Sequence, residues 1–113
     1  MSVCREAWAG IVLPLAVTNL LRRRPSHGYE LVQRLDTAGF TGVGGGTLYP
    51  LLHRLERGGA VSWTWEHPSA GPARKRYALT ESGQALVDQL TNDWHSMSSH
   101  IEIFLREKGR SAT

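Results

Sequence analysis

The chain has 113 residues, 41% hydrophobic and 20% charged, with a formal net charge of +3 and a pI near 9.5. That suffices for one folded domain with an appended element, not for two cores, and it is too apolar for a disordered chain. The basic bias is mild, so its placement matters more than its size.

A single cysteine, Cys4, excludes an internal disulfide and fits a reducing compartment. The start, Met1 to Glu6, lacks the charged-then-apolar pattern of a secretory leader. The run Ile11 to Val17 is too short to span a bilayer, and Thr18-Asn19 interrupts it. The expectation is a cytoplasmic protein with no membrane partner.

A first helix is expected from Trp8 to Leu21. Trp8, Ile11, Val12, Leu13, Leu15, Val17, Leu20 and Leu21 make it apolar nearly all round. In a domain this small such a helix needs cover from two sides, and a second subunit could supply one of them. Pro14 lies in the first turn or kinks a longer helix. Arg22-Arg23-Arg24 places positive charge at the helix C-terminus, a solvated end before a phosphate contact. Pro25-Ser26 then breaks the chain, with Ser26 as N-cap of a second helix from His27 to Ala38. Its apolar set is Tyr29, Leu31, Val32 and Leu35, and Gly39 ends it.

The tract Gly42 to Gly46 is followed by no Lys-Ser/Thr pair, so it is a flexible turn rather than a nucleotide-binding loop. A third helix begins near Gly46 or Thr47 and is closed by Gly58-Gly59. Leu48, Leu51, Leu52 and Leu55 recur three and four apart and form its apolar face. The other face carries Thr47, Tyr49, Pro50, His53, Arg54 and Arg57. Pro50 is tolerated if it falls in the first turn, where N–H groups lack helical partners anyway.

After Gly59 the period becomes two. Val61, Trp63 and Trp65 alternate with Ser62, Thr64 and Glu66 in one strand, and Arg74 to Leu79 returns as a second, with Lys75, Tyr77 and Leu79 on one side. The tip between them, His67 to Pro72, is rich in turn residues. Together they make a hairpin wing. Thr80 caps a long last helix, in which Val87, Leu90, Trp94, Met97, Ile101 and Phe104 are spaced alternately three and four apart. That is a seam at the coiled-coil period. A second copy of the same helix is its simplest cover.

The expected fold is therefore mainly α with a small β-hairpin. Residues 1–80 form a winged helix-turn-helix, 81–108 a C-terminal dimerisation helix, and 109–113 a flexible tail.

Chemistry follows from placement. Between Thr47 and Thr80, Arg54, Arg57, Arg74, Lys75 and Arg76 stand against Glu56 and Glu66, a surplus of +3 in about a third of the chain. Such cations, with hydroxyls and helix N-termini, contact phosphates. Polar residues early in the third helix are the base-reading candidates. Tyr49 and His53 are one turn apart, Thr47 and Pro50 lie beside them, and Arg54 is assigned to phosphate. Against this stands the plainer reading of a solvated amphipathic helix. No metal site is expected, because His27, His53, His67, His95 and His100 have no ligand spacing. Cys4 has no evident histidine partner and no Gly-x-Ser-x-Gly elbow exists, so the chain is read as no enzyme, with no cofactor. Trp8 and Trp94 fall on the two elements expected at a dimer interface. They pack as glue or line a cavity for a flat aromatic ligand.

Three segments carry a resemblance. Pro25-Ser26-His27-Gly28-Tyr29-Glu30-Leu31, then Gly46-Thr47-Leu48-Tyr49-Pro50-Leu51-Leu52-His53-Arg54-Leu55-Glu56, then Arg74-Lys75-Arg76-Tyr77-Ala78-Leu79-Thr80-Glu81-Ser82-Gly83 resemble the PadR family of transcriptional regulators, in order and with its spacing. The short single C-terminal helix resembles the smaller subgroup of that family. The resemblance implies a homodimeric winged-helix repressor of its own or a neighbouring gene, binding a palindromic double-stranded operator. It implies release by a small planar aromatic effector in some members. Carried over by position, Thr47, Tyr49, Pro50, His53 and Arg54 meet DNA from the third helix, supported by Tyr29. Arg74, Lys75 and Arg76 act from the wing. Trp94 matches an aromatic position that stacks on planar ligands in multidrug-binding members. The chain departs from the family pattern at Gly44-Gly45, where Ser-Pro is common, so the third helix is expected to lack a side-chain cap. Pro14 in the first helix and Arg76 in the wing depart from it too. The alternative function is a small-molecule-binding dimer whose aromatic interface cavity is its main activity.

Overall fold

The computed structural model describes the backbone of residues 2–111 and the side chains of residues 10–107. The elements run α1 (Ser2–Arg23), β1 (Ser26–His27), α2 (Gly28–Thr37), α3 (Gly45–Arg57), β2 (Val61–Glu66), β3 (Arg74–Leu79) and α4 (Glu81–Ser111). The fold is mainly helical with a small antiparallel sheet in the order β1-β3-β2.

The core forms where the apolar stripes of three helices meet the base of the hairpin. Leu13, Val17, Leu20 and Leu21 of α1 pack with Leu31 and Leu35 of α2 and with Leu48, Leu51, Leu52 and Leu55 of α3. Ala60, Val61 and Tyr77 close the core from the sheet side. The leucine face of α3 is thus the buried face that its spacing predicts. In α2 the prediction holds for Leu31 and Leu35 but not for Tyr29, which is 66% exposed.

Both α2 and α3 stop in the same way. The Phe40 amide donates to Leu35 O and the Gly39 amide to Asp36 O; the Ala60 amide donates to Leu55 O and the Gly59 amide to Glu56 O. These are paired 6→1 and 5→2 closures, and they need a left-handed residue at the turn. Gly39 (φ 102°) and Gly59 (φ 81°) supply it.

Several boundaries differ from expectation. α1 starts at Ser2 rather than Trp8, so Pro14 lies inside a longer helix instead of its first turn. The N-cap of α2 is His27, whose Nδ1 accepts the Glu30 amide at 3.2 Å. Ser26, the expected cap, is fully buried in β1, where its Oγ accepts from Arg34 at 2.5 Å. Arg34 also donates to Leu20 O at 2.7 Å and so closes the C-terminus of α1. α3 starts at Gly45, so Pro50 is its sixth residue, beyond the first turn. The Gly46 carbonyl loses its helical donor there, but Gly46 and Pro50 are both exposed and water can hydrate it. The Gly44 N-cap makes no side-chain hydrogen bond, as the glycine tract predicts.

Thr80 caps α4: its Oγ1 accepts the Gly83 amide at 3.0 Å. A Cβ on Gly83 would lie 2.0 Å from Ala60 O, so only glycine lets α4 descend this closely onto the end of α3. Arg22 of α1 ties α4 down further through Asp88 (2.6 Å) and Gln84 (3.2 Å), rather than standing as a free helix-end charge. Beyond this anchor α4 leaves the body. Its 31 residues reach about 46 Å at 1.5 Å each. The radius of gyration, 16.9 Å, exceeds the roughly 13 Å of a compact chain this long. Along the seam Val87 is fully buried, while Trp94, Met97, Ile101 and Phe104 are 40%, 60%, 52% and 60% exposed. α4 continues through Ser111, so of the expected tail 109–113 only residues 112–113 lie past the helix, outside the described residues.

Candidate nucleic-acid interface

The start of α2, the first half of α3 and the wing meet at one concavity of about 340 Å³. Gly28 opens α2 without a side chain, and the Tyr49 phenol of α3 lies across it. A Cβ at Gly28 would come within 2.3 Å of the Tyr49 hydroxyl and 2.6 Å of two ring carbons. Tyr29 stands beside it from α2, and Arg74, Lys75 and Tyr77 line the wing side. Tyr29, Tyr49, Arg74 and Lys75, all site residues expected from the sequence, thus converge from three elements. His27, Gly28 and Tyr77 join them and were missed. The only sequence signal for the first two is their place inside the Pro25–Leu31 segment; Tyr77 reads as an ordinary inward strand residue.

The other expected residues of α3 lie elsewhere. Thr47, Pro50 and Arg54 share a second concavity, of about 290 Å³, with Gly10, Leu13 and Pro14 of α1. Thr47 and Arg54 are seven residues apart, two turns along one stripe, and that stripe adjoins α1 rather than the wing. His53 is exposed on α3.

The wing charges are not equivalent. Glu66 pairs with Arg74 (2.8 Å) and with Arg76 (3.3 Å). The hydrogen bond from Arg74 holds the Glu66 carboxyl below its ordinary value, with the charge of Arg76 adding to the shift. Lys75 alternates to the other side of β3. Its Nζ sits 4.2 Å over the Trp63 ring, a cation–π contact. The Trp63 indole N–H donates to Glu56 of α3 at 2.9 Å, and Trp65 meets Trp63 edge-on at 5.2 Å. One indole therefore links the end of α3 to the lysine of the wing. In the first turn of α2, Arg24 pairs with Glu30 at 2.5 Å, and that hydrogen bond lowers the Glu30 pKa.

Trp94 lines a separate apolar groove of about 310 Å³, with Val12, Leu15, Ala16, Leu20 and Phe40 among its walls. The Trp8 side chain, its expected companion, lies outside the described residues. Among the described residues there is no cluster of three His, Cys, Asp or Glu able to hold a metal, and no helix long and apolar enough to cross a membrane.

The model of the transcriptional regulator PadR-like family matches residues 17–89, which include α2, α3, the whole wing and the root of α4. The transcriptional regulator Rv3488 of Mycobacterium tuberculosis is 40% identical over 63 residues, 56% of this chain and 57% of that one. A PadR-like transcription factor of Bacteroides fragilis superposes with a TM-score of 0.74 at 30% identity, covering 90% of this chain and 97% of the other. A PadR-like transcriptional regulator of Bacillus cereus does so with a TM-score of 0.76 at 30% identity, covering 86% and 94%.

Proposed function

The chain belongs to the PadR-like family of transcriptional regulators, and from that premise we propose that it is a homodimeric, sequence-specific DNA-binding repressor acting in the cytoplasm on its own or a neighbouring gene. The observation that carries this reading is the convergence of Tyr29, Tyr49, Arg74 and Lys75 around one basic concavity beside α3. Residues 1–80 are the DNA-binding unit. In it Tyr49 and His53 of α3 read base edges, Thr47, Pro50 and Arg54 approach the adjoining strand, and Tyr29, Arg74, Lys75 and Arg76 hold the backbone. The exposed apolar seam of residues 81–108 supports the second half of the proposal. Trp94, Met97, Ile101 and Phe104 are 40%, 60%, 52% and 60% exposed in the single chain and suit a second copy.

Two such subunits place their α3 helices about one DNA turn apart, roughly 34 Å, and read a palindrome. Affinity falls steeply with salt as phosphates release counterions. The test is a gel shift with the intergenic DNA beside the gene. A shift that salt abolishes and unrelated competitor DNA does not supports the reading. No shift at low salt with that DNA or its neighbours refutes it.

A second reading rests on the Trp94 groove: a planar aromatic effector binds there and releases DNA, or such binding is itself the main activity. Quenching of tryptophan fluorescence by a flat cationic dye, lost in Trp94→Ala, supports it. Equal quenching in wild type and Trp94→Ala removes this site.

A further inference from the structure

Burial falls along the inward face of β2. Val61 is buried in the core, Trp63 is half-buried against it, and Trp65 is 56% exposed. Trp63 is thus the outermost residue of β2 that packs on the core, and the hairpin projects beyond it. At its base the wing hangs from α3 by the short link Gly58-Gly59-Ala60. Such a link fixes where β2 begins but leaves the lean of the outer hairpin to side chains.

Three contacts of Trp63 restrain that lean. Its indole N–H donates to Glu56 of α3 at 2.9 Å, it meets Trp65 edge-on with ring centroids 5.2 Å apart, and it carries the Lys75 ammonium 4.2 Å from its ring centre. Glu56 stands in the last turn of α3, the negative end of the helix dipole, where a carboxylate is disfavoured. Among the described residues no cation pairs with it, and the indole is its one side-chain hydrogen-bond partner. A carboxylate at the indole N–H also enriches the ring in electron density, which strengthens its hold on a cation. Lys75 has no other anchor of this kind. Arg74 and Arg76, on the opposite face of β3, share Glu66, whereas Lys75 has no acidic partner among the described residues. An ammonium has three N–H donors, so one resting on a ring still offers donors outward.

We propose that Trp63 is a positioning residue of the DNA reader: its hydrogen bond to Glu56 sets the angle of the wing to α3, and its ring holds Lys75 at a fixed reach from that helix. Trp63 touches no DNA in this account and acts through Lys75. The proposal rests on the DNA-binding reading above, in which α3 and Lys75 engage the same duplex. A lysine already ordered on the ring has less side-chain freedom to lose on binding. Releasing it lowers affinity by about 2–10-fold, the scale of ordering one long side chain at an interface.

The test uses the full chain, a duplex of the intergenic DNA beside the gene, and fluorescence anisotropy at fixed low salt. Trp63→Leu and Lys75→Ala each weaken binding, and the double variant is no weaker than the weaker single one, because both changes remove the same held ammonium. Trp63→Phe, which keeps the ring but loses the N–H, loses less than Trp63→Leu. Glu56→Gln, which keeps an acceptor, loses less than Glu56→Ala. By NMR, the Lys75 ε-methylene signals lie upfield in the wild type under the indole ring current, stay upfield in Trp63→Phe and return to their ordinary position in Trp63→Leu. Thermal midpoints show which variants are folded at the assay temperature; if Trp63→Leu is not, the cycle of Trp63→Phe with Lys75→Ala decides in its place. Additive losses in the cycle, or wild-type affinity in folded Trp63→Leu, overturn the role of Trp63 and leave DNA binding intact. Lys75 signals at their ordinary position in the wild type overturn the hold itself. No duplex binding by the wild type overturns the DNA-binding reading beneath the proposal instead.

Discussion

Replacing Gly28 by alanine separates side-chain positioning from folding. The added Cβ would meet the Tyr49 hydroxyl at 2.3 Å and its ring at 2.6 Å, more than an ångström inside van der Waals contact. The obstacle is the far end of a side chain that is already 48% exposed, so the phenol yields and the backbone stays. If Tyr49 swings out completely, about 100 Å² of covered surface is lost, at most about 2.5 kcal/mol at 25 cal/mol/Å². Alanine recovers about 0.4–1 kcal/mol by restricting the unfolded chain, because Gly28 has no left-handed backbone. The net cost in stability is therefore about 0–2 kcal/mol. DNA binding loses a positioned aromatic hydroxyl, about 1–2 kcal/mol, or roughly 5–30-fold in Kd at fixed salt. Urea unfolding and fluorescence anisotropy on an operator duplex measure the two quantities. In a Tyr49→Ala background the Gly28→Ala change has nothing left to displace and costs no further affinity. Wild-type affinity in Gly28→Ala, or a stability loss above about 4 kcal/mol from a shifted backbone, would refute the reasoning.

Three further outcomes are expected. Gly83→Ala drives a Cβ into the Ala60 carbonyl at 2.0 Å, a backbone obstacle; the overpacking cost of about 1–3 kcal/mol exceeds the roughly 1 kcal/mol gained in helix propensity. A lower thermal midpoint checks this, and an unchanged midpoint contradicts it. Trp63→Phe keeps a π face under Lys75 but deletes the N–H to Glu56, costing about 1–2 kcal/mol of stability in urea, while Glu56→Gln, which keeps an acceptor, costs less. Acid sensitivity is set in part by Glu30 and Glu66. Their folded pKa values lie below the ordinary 4.5, so their contribution is present above that pH and is lost as pH falls through the folded values. Urea midpoints taken from pH 7 to pH 3 fall less steeply in Glu30→Gln/Glu66→Gln than in wild type; equal slopes would remove these two groups from the account.

Much of the fold is legible in local pattern. α3 is written in Leu48, Leu51, Leu52 and Leu55 and closed by Gly59, because a helix buries every third or fourth residue and its end needs a left-handed one. The hairpin is written in the alternation of Val61 to Glu66, and α4 in the Thr80 cap. β1 is not legible: two residues have no period, and the strand exists only because Ser26 and His27 pair with Tyr77 and Arg76, about fifty residues on. The cap of α2 was misread for a related reason. Serine outranks histidine as a cap in isolation, but the Ser26 hydroxyl is taken by Arg34 inside the fold.

The sequence by itself determined the order of the four helices and the hairpin, the leucine face that α3 buries, the basic surplus around the wing and the apolar seam of α4. All of these follow from interactions between near neighbours along the chain or from the sum of charge in one segment. The tertiary structure alone decided which of the basic and aromatic residues meet. It paired Arg74 and Arg76 with Glu66, laid Lys75 over Trp63, set Arg54 against α1, and laid the Tyr49 phenol across Gly28. Those meetings join residues far apart in sequence through the packing of side chains in three dimensions, and periodicity within one element carries no record of them.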